Sequence, residues 1–545
     1  MTNPVIDGKQ LYALLSNGYR NLRLNMDAID ELNVFPVPDG DTGKNMTTTL
    51  EGGVSGTDSE QTSAQALMKD FSYNTLLAAR GNSGVILSQF VRGIAEGMSG
   101  KDILTIDDFL SAIKGGVSRA YEAVVNPVEG TMLTVMREAA ENAIRQRADI
   151  KDFGTCLEII IAEAKKSLMH TPELLPVLKE AGVVDSGGAG LVCIFEGMLM
   201  FLNDETLPLE DFSYPSARTK FLPYDAENLL EFGYCTEFIL QLQSSKTDLC
   251  AFDINKMIAH LETLGNSIVA VNEGTIVKVH IHSFEPENVI GYARSFGELI
   301  TIKIENMSVQ HSQIEASEHH VPEHTRYAVV AVAAGQGIID YFKGAGVNEI
   351  VDGGQTNNPS AEAFIETFKK LNADHIIVLP NDSNIVMTAH LAADMYKNTD
   401  VRVIETRSIA EGYSVLSMMD LTLDTIEDVI AEMTCYLPNV TTGYVTTATR
   451  DAVINGITIT KNDYIGLTDD SILSDSNDKV EAALSLLYSL HDIDDKQVIT
   501  VFCGKDVTDE ESALLRNTLL SRYPLLEVGL IDGSQEIYSF IFAIE

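Results

Sequence analysis

The stretch NVFPVPDGDTGKNM, from Asn33 to Met46, is the most distinctive segment of this 545-residue chain. It places Asp39 and Asp41 on either side of one glycine, and a second glycine follows at Gly43. Two carboxylates two residues apart on such a loosened turn can converge on Mg²⁺, which prefers oxygen ligands and usually shares them with substrate phosphates. The alternative is an ordinary solvated Asp-Gly turn, and the segment alone leaves that alternative open.

Two better-known loops do not fit this segment. An EF-hand needs an oxygen ligand at its fifth position and glycine at its sixth, where this chain has Gly43 and Lys44. A Walker loop needs a glycine five residues before its Gly-Lys pair and a Ser or Thr after it, where this chain has Pro38 and Asn45. The segment therefore predicts neither of these two sites.

Residues 1–203 form the first predicted domain. From residue 6 onward its apolar residues recur three and four apart, as core-facing helices require, and strand patterns are almost absent. Clear examples are QALMKDFSYNTLLAA, SGVILSQFVRGIAEGM and TMLTVMREAAENAIRQ. The pattern predicts an all-α block of roughly seven to nine helices.

The rest of the chain divides by composition and periodicity. Residues 204–228 are polar, contain three prolines and are typical of a linker. Residues 229–314 read strand, helix, strand, strand, helix, strand, which is the ferredoxin-like α+β order. Residues 315–325 are a second polar linker. Residues 326–545 alternate apolar strands with helices, which predicts an α/β domain with parallel strands in two lobes that divide near Tyr436.

Composition excludes several classes of function. The chain has 79 acidic and 38 basic residues, a net charge of −41, which argues against nucleic-acid binding and against docking on anionic lipid. The first residues lack the basic and apolar regions of a signal peptide. The longest apolar run, Leu191 to Leu202, is too short to cross a membrane, and it contains Glu196. We therefore expect a cytoplasmic protein with no membrane insertion, whose six scattered cysteines are reduced.

Three further junctions in the helical block combine glycine with hydroxyl or carboxyl groups. Gly81-Asn82-Ser83-Gly84 opens a helix, Gly130-Thr131 opens another, and Asp185 precedes Gly187, Gly188 and Gly190. Exposed amides at a helix N-terminus suit a phosphate. The alternative for each is an ordinary helix cap. Together with the Asn33–Met46 segment they favour an anion-binding site over plain capping.

A separate group of metal-ligand types lies in the middle block. His280 and His282 are two residues apart on one strand, and Cys235 lies near the start of the first strand of this block. In a ferredoxin-like sheet the first and third strands are antiparallel neighbours, which brings the three residues together. Cys and His can bind Zn²⁺, with Glu237 as a possible oxygen donor. The alternative is a packed cysteine and a hydrogen-bonded histidine pair.

The C-terminal block has three polar loops after its first strands, AAGQGIID, DGGQTNNPS and LPNDSN. Loops at the carboxyl ends of parallel strands are where such sheets bind ligands or partners. The alternative is turn chemistry alone. A dinucleotide fingerprint is incomplete here, because Gly335 and Gly337 are followed by Asp340 where a third glycine would be needed.

The segments LNVFPVPDGDTGKNM, ARGNSGVILSQF, EGTML and LLPVLKEAGVVDSGGAGL resemble the signatures of the DhaL-type ATP-binding domain of dihydroxyacetone kinases. Over nearly its whole length the chain resembles the kinase subunits of bacterial fatty acid kinases. The resemblance implies an N-terminal helical barrel, a middle α+β domain and a C-terminal α/β domain similar to the DegV-like fold. It also implies two Mg²⁺ ions and ATP in the first domain and favours Zn²⁺ in the middle one.

The resemblance also assigns residues. The Mg²⁺ ligands would be Asp39 and Asp41, with Asn33 as the third, since Val34 occupies the position where sugar-kinase relatives have a further Asp. The catalytic set would be Asp39 and Asp41 with Cys235, His280 and His282. The residues around the nucleotide and its phosphates would be Thr42, Asn45, Met46, Asn82, Ser83, Gly84, Thr131, Met132, Asp185 and Gly187.

The function predicted from these features is an ATP-dependent kinase that phosphorylates the carboxylate of a fatty acid. A fatty-acid-binding partner protein would present the acyl chain, the C-terminal block would engage that partner, and the resemblance implies a homodimer. Two alternatives stay open. One is a phosphotransfer protein for a polyol such as dihydroxyacetone, and the other is a nucleotide-sensing scaffold that binds ATP without turnover.

Overall fold

The structure is a computed structural model that divides into two compact units. One unit joins Met1–Glu210 to His324–Glu545, and the other is Asp211–Glu323. The residues that it describes are 4–33, 40–124, 127–207, 234–243, 245–247, 252, 254–261, 263–273, 275–306, 324–354, 357–449, 451–454, 457–468, 471–490 and 493–545.

The helical block contains ten α-helices within its described residues, somewhat more than the sequence predicted. The two shortest account for the difference, because helices of six and seven residues are too short to show an apolar period. Two short strands, Val5–Ile6 (β1) and Leu104–Thr105 (β2), pair antiparallel. The helices are Gly8–Leu24 (α1), Met26–Leu32 (α2), Thr42–Ser55 (α3), Ala64–Ala78 (α4), Gly81–Gly97 (α5), Ile106–Glu122 (α6), Met132–Arg145 (α7), Phe153–Leu174 (α8), Pro176–Ala181 (α9) and Ser186–Leu202 (α10).

Local sequence sets the ends of these helices. Asp7 accepts the backbone N–H of Gln10 at 2.9 Å, and the Gln10 side chain accepts the N–H of Asp7, which is a capping box at the start of α1. Ser63 and Asp152 cap α4 and α8 in the simpler way, through one accepted N–H. By contrast, α5 and α7 begin without a side-chain cap. Their first amides are therefore not covered by a local side chain.

The middle unit begins with the elements Tyr234–Leu242 (β3), Ile254–Leu261 (α11), Asn266–Glu273 (β4), Ile276–Ser283 (β5), Pro286–Arg294 (α12) and Gly297–Asn306 (β6). Its sheet has the strand order β4-β5-β3-β6 with antiparallel neighbours. This is the split arrangement that the sequence predicted. Buried side chains of β3 and β5 pack against both helices and form a core of their own.

The C-terminal block begins with a parallel sheet. The elements of this lobe are Thr325–Ala333 (β7), Gln336–Gly344 (α13), Glu349–Asp352 (β8), Ala361–Lys369 (α14), Ala373–Leu379 (β9), Ser383–Met395 (α15), Asp400–Val403 (β10), Ile409–Ser417 (α16) and Ile426–Thr434 (α17). The strand order is β10-β9-β7-β8, and each pair of neighbours is parallel, as predicted for apolar strands covered by helices.

A second sheet follows and corrects the expectation of parallel pairing. Its elements are Thr441–Thr447 (β11), Ala452–Ile454 (β12), Ile457–Ile459 (β13), Tyr464–Thr468 (β14), Ile472–Ser476 (β15), Lys479–Ser489 (α18), Val498–Cys503 (β16), Asp509–Arg522 (α19), Glu527–Asp532 (β17) and Tyr538–Ile544 (β18). The strand order is β15-β14-β11-β18-β16-β17, and only β16 and β17 run parallel. A short connection joins the antiparallel neighbours β14 and β15, whereas β18 pairs antiparallel with β11 and β16, which lie further back in the sequence. Most of residues 441–476 showed no strand pattern because they are rich in Thr, Gly and Asp.

The helical and C-terminal blocks share a hydrophobic core. Leu76 and Val85 from α4 and α5 belong to the same buried cluster as Phe364 and Ile385 from α14 and α15. The backbone N–H of Ala361 also donates to the carbonyl of Ala79 at 3.2 Å, directly before α5. This contact fixes the loops of the parallel sheet over the N-termini of the helical block. Within the described residues no helix is long and apolar enough to span a membrane.

Candidate functional site between the two blocks

A cavity of about 940 Å³ lies between the helical block and the C-terminal block. The C-terminal block contributes the ends of β7, β8 and β9 and the loops that follow them, which are the three polar loops predicted to bind a ligand or a partner. Ten of the residues predicted from the sequence line it: Asn33, Asp41, Thr42, Asn45, Asn82, Ser83, Thr131, Met132, Asp185 and Gly187.

Asp41 is a buried carboxylate in the lining of this cavity. It directly precedes α3 and is only 6 % exposed. Its Oδ2 accepts a hydrogen bond from Asn358 Nδ2 at 2.6 Å, and the side chain of Asn45 donates to it as well. Burial raises the pKa of Asp41 above its ordinary value, although both amides and Lys44 oppose that shift. Its negative charge therefore lacks full compensation from the protein.

Asp30 on α2 holds the start of α3 in place. Its Oδ1 accepts the backbone N–H of Gly43 at 2.6 Å and of Lys44 at 3.3 Å. Burial raises the pKa of Asp30 to about 6, against the effect of these two donors. Sequence reasoning missed this residue, because it lies well before the DGD turn and makes its contact only through the fold.

The start of α5 approaches α3 so closely that only glycine fits. Gly81 has φ +57°, and a β-carbon there would lie 2.4 Å from Asn45 Nδ2. A β-carbon on Gly84 would lie 2.4 Å from Thr49 Oγ1. Gly84 is buried in this helix contact and is not among the residues that line the cavity. Close packing against α3 therefore explains why residue 84 is a glycine, whereas Asn82 and Ser83 line the cavity.

Asp185 joins the starts of α7 and α10. It caps α10 by accepting the N–H of Gly188 at 2.7 Å, and it accepts a further backbone hydrogen bond from Met132. Burial raises the pKa of Asp185 to about 6. The next residue, Ser186, donates its hydroxyl to Thr42 Oγ1 at 3.2 Å, which connects α10 to α3. The first turns of α3, α5, α7 and α10 thus meet at one cavity.

The C-terminal block adds charged and amide groups to the same space. Asp382 caps α15, and burial together with the nearby charge of Asp41 raises the pKa of Asp382 to about 6. Asn384 Oδ1 accepts a hydrogen bond from Asn82 Nδ2 at 3.1 Å. Arg407 brings a positive charge to the lining. The loop sequence LPNDSN contains Asp382 and Asn384, but nothing in it shows that they face the helical block.

The donors present fit a nucleotide that is bound with Mg²⁺. Carboxyl groups whose pKa is raised by burial, such as those of Asp41 and Asp185, would be stabilised in their ionised form by a nearby cation. Converging helix N-termini suit the phosphates. The buried oxygens Asn82 Oδ1 and Gln535 Oε1 have no hydrogen-bond partner in the described part of the chain. No group of three His, Cys, Asp or Glu that could hold a metal ion lies among the described residues. In proteins Mg²⁺ usually keeps several waters and shares its carboxylate ligands with substrate phosphates.

Two predicted residues of the helical block, Met46 and Gly84, do not line the cavity, and a third, Asp39, lies outside the described residues. Met46 is fully buried in the helical core. It packs against Gly190 so closely that a β-carbon on Gly190 would lie 2.7 Å from Met46 Sδ. Gly84 packs against α3. Helix packing therefore accounts for the residue types at Met46 and Gly84 without a contact to a ligand.

The backbone of the middle unit brings the predicted zinc residues together. Cys235 pairs with His282 across β3 and β5, and Glu237 pairs with His280. The predicted adjacency of the first and third strands is therefore confirmed at the level of register. The side chains of all four residues lie outside the described part of the structure.

Three family models match the chain in sequence. Residues 36–200 match the DAK2 domain, residues 231–314 the middle domain of the FakA-like fatty acid kinase proteins, and residues 328–545 the C-terminal domain of the same FakA-like proteins. Protein YloV of Bacillus subtilis is 38% identical over 565 residues, which cover 100% of this chain and 100% of that protein.

Two solved structures show weaker similarity. The dihydroxyacetone kinase of C. freundii in complex with AMP-PNP and Mg²⁺ is 16% identical, with a TM-score of 0.29, over 35% of this chain and 34% of that chain. The Streptococcus pneumoniae fatty acid kinase B3 protein loaded with linoleic acid is 15% identical, with a TM-score of 0.28, over 34% of this chain and 76% of that chain. Neither similarity is strong enough to support a functional conclusion. The full-length match to the Bacillus protein, together with the three family models, shows that this chain belongs to the FakA-like fatty acid kinase family.

Proposed function

We propose that the chain is an ATP- and Mg²⁺-dependent kinase that phosphorylates the carboxylate of a fatty acid and so forms an acyl phosphate. The observation that carries the proposal is the cavity at which four helix N-termini meet the buried carboxylates Asp41 and Asp185. Helix N-termini favour phosphates and carboxylates favour the cations that accompany them. The family membership supports the same reaction.

Each group of residues has a distinct role in this proposal. Asp41 and Asp39 hold the cations, with Asn33 as the third ligand. Ser83, Thr131 and the first amides of α5 bind phosphate oxygens. Once bound, ATP with two Mg²⁺ would supply the phosphoryl group and the positive charge that stabilises its transfer.

The acceptor needs little chemical activation. A fatty-acid carboxylate is ionised at neutral pH, since carboxyl pKa values lie near 4 to 5. No general base is then required, and positioning and charge neutralisation carry most of the catalysis.

A separate lipid-binding protein would present the acyl chain. Each CH₂ group removed from water contributes about 0.8 kcal/mol, so a free acyl chain would not remain exposed during transfer. The net charge of −41 favours a partner that offers a basic surface. The C-terminal block is the proposed docking site, and homodimerisation remains a proposal from the family resemblance.

We also propose that Cys235, His280 and His282 bind Zn²⁺ in the middle unit. The pairing of Cys235 with His282 supports it, because cross-strand neighbours in an antiparallel sheet have β-carbons about 4.5–5.5 Å apart. Whether the metal is structural or catalytic is a question for metal-loaded and metal-stripped protein. Metal analysis of the purified chain and of Cys235→Ser tests the proposal, and equal zinc content in both would contradict it.

The test of the main proposal is acyl phosphate formation by Asp41→Asn. ATP, a fatty acid and the partner are supplied, and the product is trapped with hydroxylamine. We expect a loss of about 100-fold or more, because an electrostatic contact to the transferring group is removed. Asp70→Asn, an exposed site on α4, is the matched control and should retain full activity.

The outcomes also separate the alternatives. Undiminished product from Asp41→Asn would refute the proposed role of the acidic pair. Phosphorylation of dihydroxyacetone without a lipid carrier would favour the polyol phosphotransfer alternative. Tight ADP binding without transfer to any acceptor would favour the nucleotide-sensing scaffold.

A further inference from the structure

Asn358 connects the C-terminal block to the carboxylate that we propose as a Mg²⁺ ligand. It lies in the loop between β8 and α14 and is only 4 % exposed. Its Nδ2 donates to Asp41 Oδ2 at 2.6 Å and lies 3.5 Å from Asn45 Oδ1. A residue more than 300 positions away in sequence therefore fixes one oxygen of Asp41.

The orientation of the Asn358 amide follows from chemistry. An ionised carboxylate can only accept hydrogen bonds, so the amide must turn its NH₂ group toward Asp41. The opposite atom, Asn358 Oδ1, is then buried, and it has no hydrogen-bond partner among the described residues. A buried oxygen without a donor is unfavourable in a residue that serves only to hold two blocks together.

The residues that follow Asn358 in this loop are held by close contacts. The N–H of Ala361 donates to the carbonyl of Ala79, and Ser360 caps α14 by accepting the N–H of Ala363 at 3.2 Å. Pro359 packs closely enough that a β-carbon on Gly353 would meet its Cδ at 2.7 Å. Asn358 is thus positioned before any ligand binds.

We propose that Asn358 is a positioning residue: by fixing Asp41 Oδ2, it orients the Asp41 carboxylate for the cation. This inference rests on the proposed function, and it adds that the C-terminal block completes the phosphoryl-transfer site as well as engaging a partner. Groups that orient metal ligands through hydrogen bonds commonly affect metal affinity by about 10- to 100-fold.

The experiment compares Mg²⁺ dependence with stability in the full-length chain. ADP binding is measured by calorimetry over a series of Mg²⁺ concentrations, and thermal unfolding is measured without metal. Asn358→Ala should raise the Mg²⁺ concentration for half-saturation by about 10-fold or more. Asn358→Leu, which keeps the side-chain volume, should give the same shift and serves if the alanine variant does not fold.

Ser360→Ala is the matched control in the same loop. It removes the cap of α14 and should lower the unfolding temperature without changing the half-saturating Mg²⁺ concentration. Unchanged half-saturation in both Asn358 variants, with normal binding by the unmodified chain, would overturn this inference alone. Failure of the unmodified chain to bind ADP with Mg²⁺ would overturn the proposed function and this inference with it.

Discussion

Substitution of Gly81 by alanine tests how tightly α5 is packed against the candidate site. The new β-carbon would require a left-handed backbone at φ +57°, which costs about 1–2 kcal/mol for an L-residue. It would also lie 2.4 Å from Asn45 Nδ2 and force that side chain away from Asp41. Loss of a hydrogen bond to a carboxylate costs about 1.5–3 kcal/mol. We expect Gly81→Ala to lower the free energy of unfolding by roughly 2.5–5 kcal/mol.

Gly182→Ala separates the backbone cost from the steric cost. Gly182 ends α9 with φ +67°, and a β-carbon there would meet nothing within 4 Å. Only the backbone cost of about 1–2 kcal/mol applies. Because the chain has no tryptophan, urea unfolding should be followed by far-UV circular dichroism. Losses within about 0.5 kcal/mol of each other in the two variants would refute the contact between Gly81 and Asn45.

Three further predictions concern other parts of the chain. Burial raises the pKa of Asp185 to about 6, so the folded state binds this proton more tightly than the unfolded state, and stability falls as the pH rises from about 4 to about 6. In Asp185→Asn this pH-dependent loss of stability should be smaller by about 2–3 kcal/mol. An unchanged pH profile of thermal unfolding in the variant would contradict the prediction. Lys479 forms ion pairs with Asp506 at 3.2 Å and with Glu511 at 3.6 Å, and its side chain is mostly buried. Lys479→Met should lower the free energy of unfolding in urea by about 1–2 kcal/mol. An unchanged free energy of unfolding would show that the two ion pairs do not stabilise the fold. With Zn²⁺ bound at Cys235, a chelator should lower the melting temperature of the unmodified chain but not that of Cys235→Ser. An equal decrease in the melting temperatures of both proteins would argue against that site.

The sequence was sufficient for elements with a strong period of their own. The long helices of the first block and the β-α-β-β-α-β order of the middle unit follow from apolar spacing and turn residues. Strands such as β11, with the sequence TTGYVTT, could not be recognised, because they have few apolar residues and their place in the sheet is set by pairing with β14 and β18. Short helices were missed for the same reason: neighbours stabilise them, and their own sequence does not.

The candidate site was predicted in part. Asp41, Thr42 and Asn45 share one local motif, and motifs of that kind can be read without a structure. Asn358 and Asp382 could not be assigned to it, because only the packing of two blocks brings their loops over Asp41. The sequence showed that these loops were polar and followed buried strands, but it contained nothing about the surface that they face.

The most direct test of the account is a crystal structure of the full-length chain with a non-hydrolysable ATP analogue and Mn²⁺ in place of Mg²⁺. Mn²⁺ can be located by its anomalous scattering. We expect a metal peak about 2.0–2.2 Å from an Asp41 carboxylate oxygen, with the phosphates at the starts of α3 and α5. Ordered nucleotide and metal elsewhere in the chain, with no density beside Asp41, would contradict it.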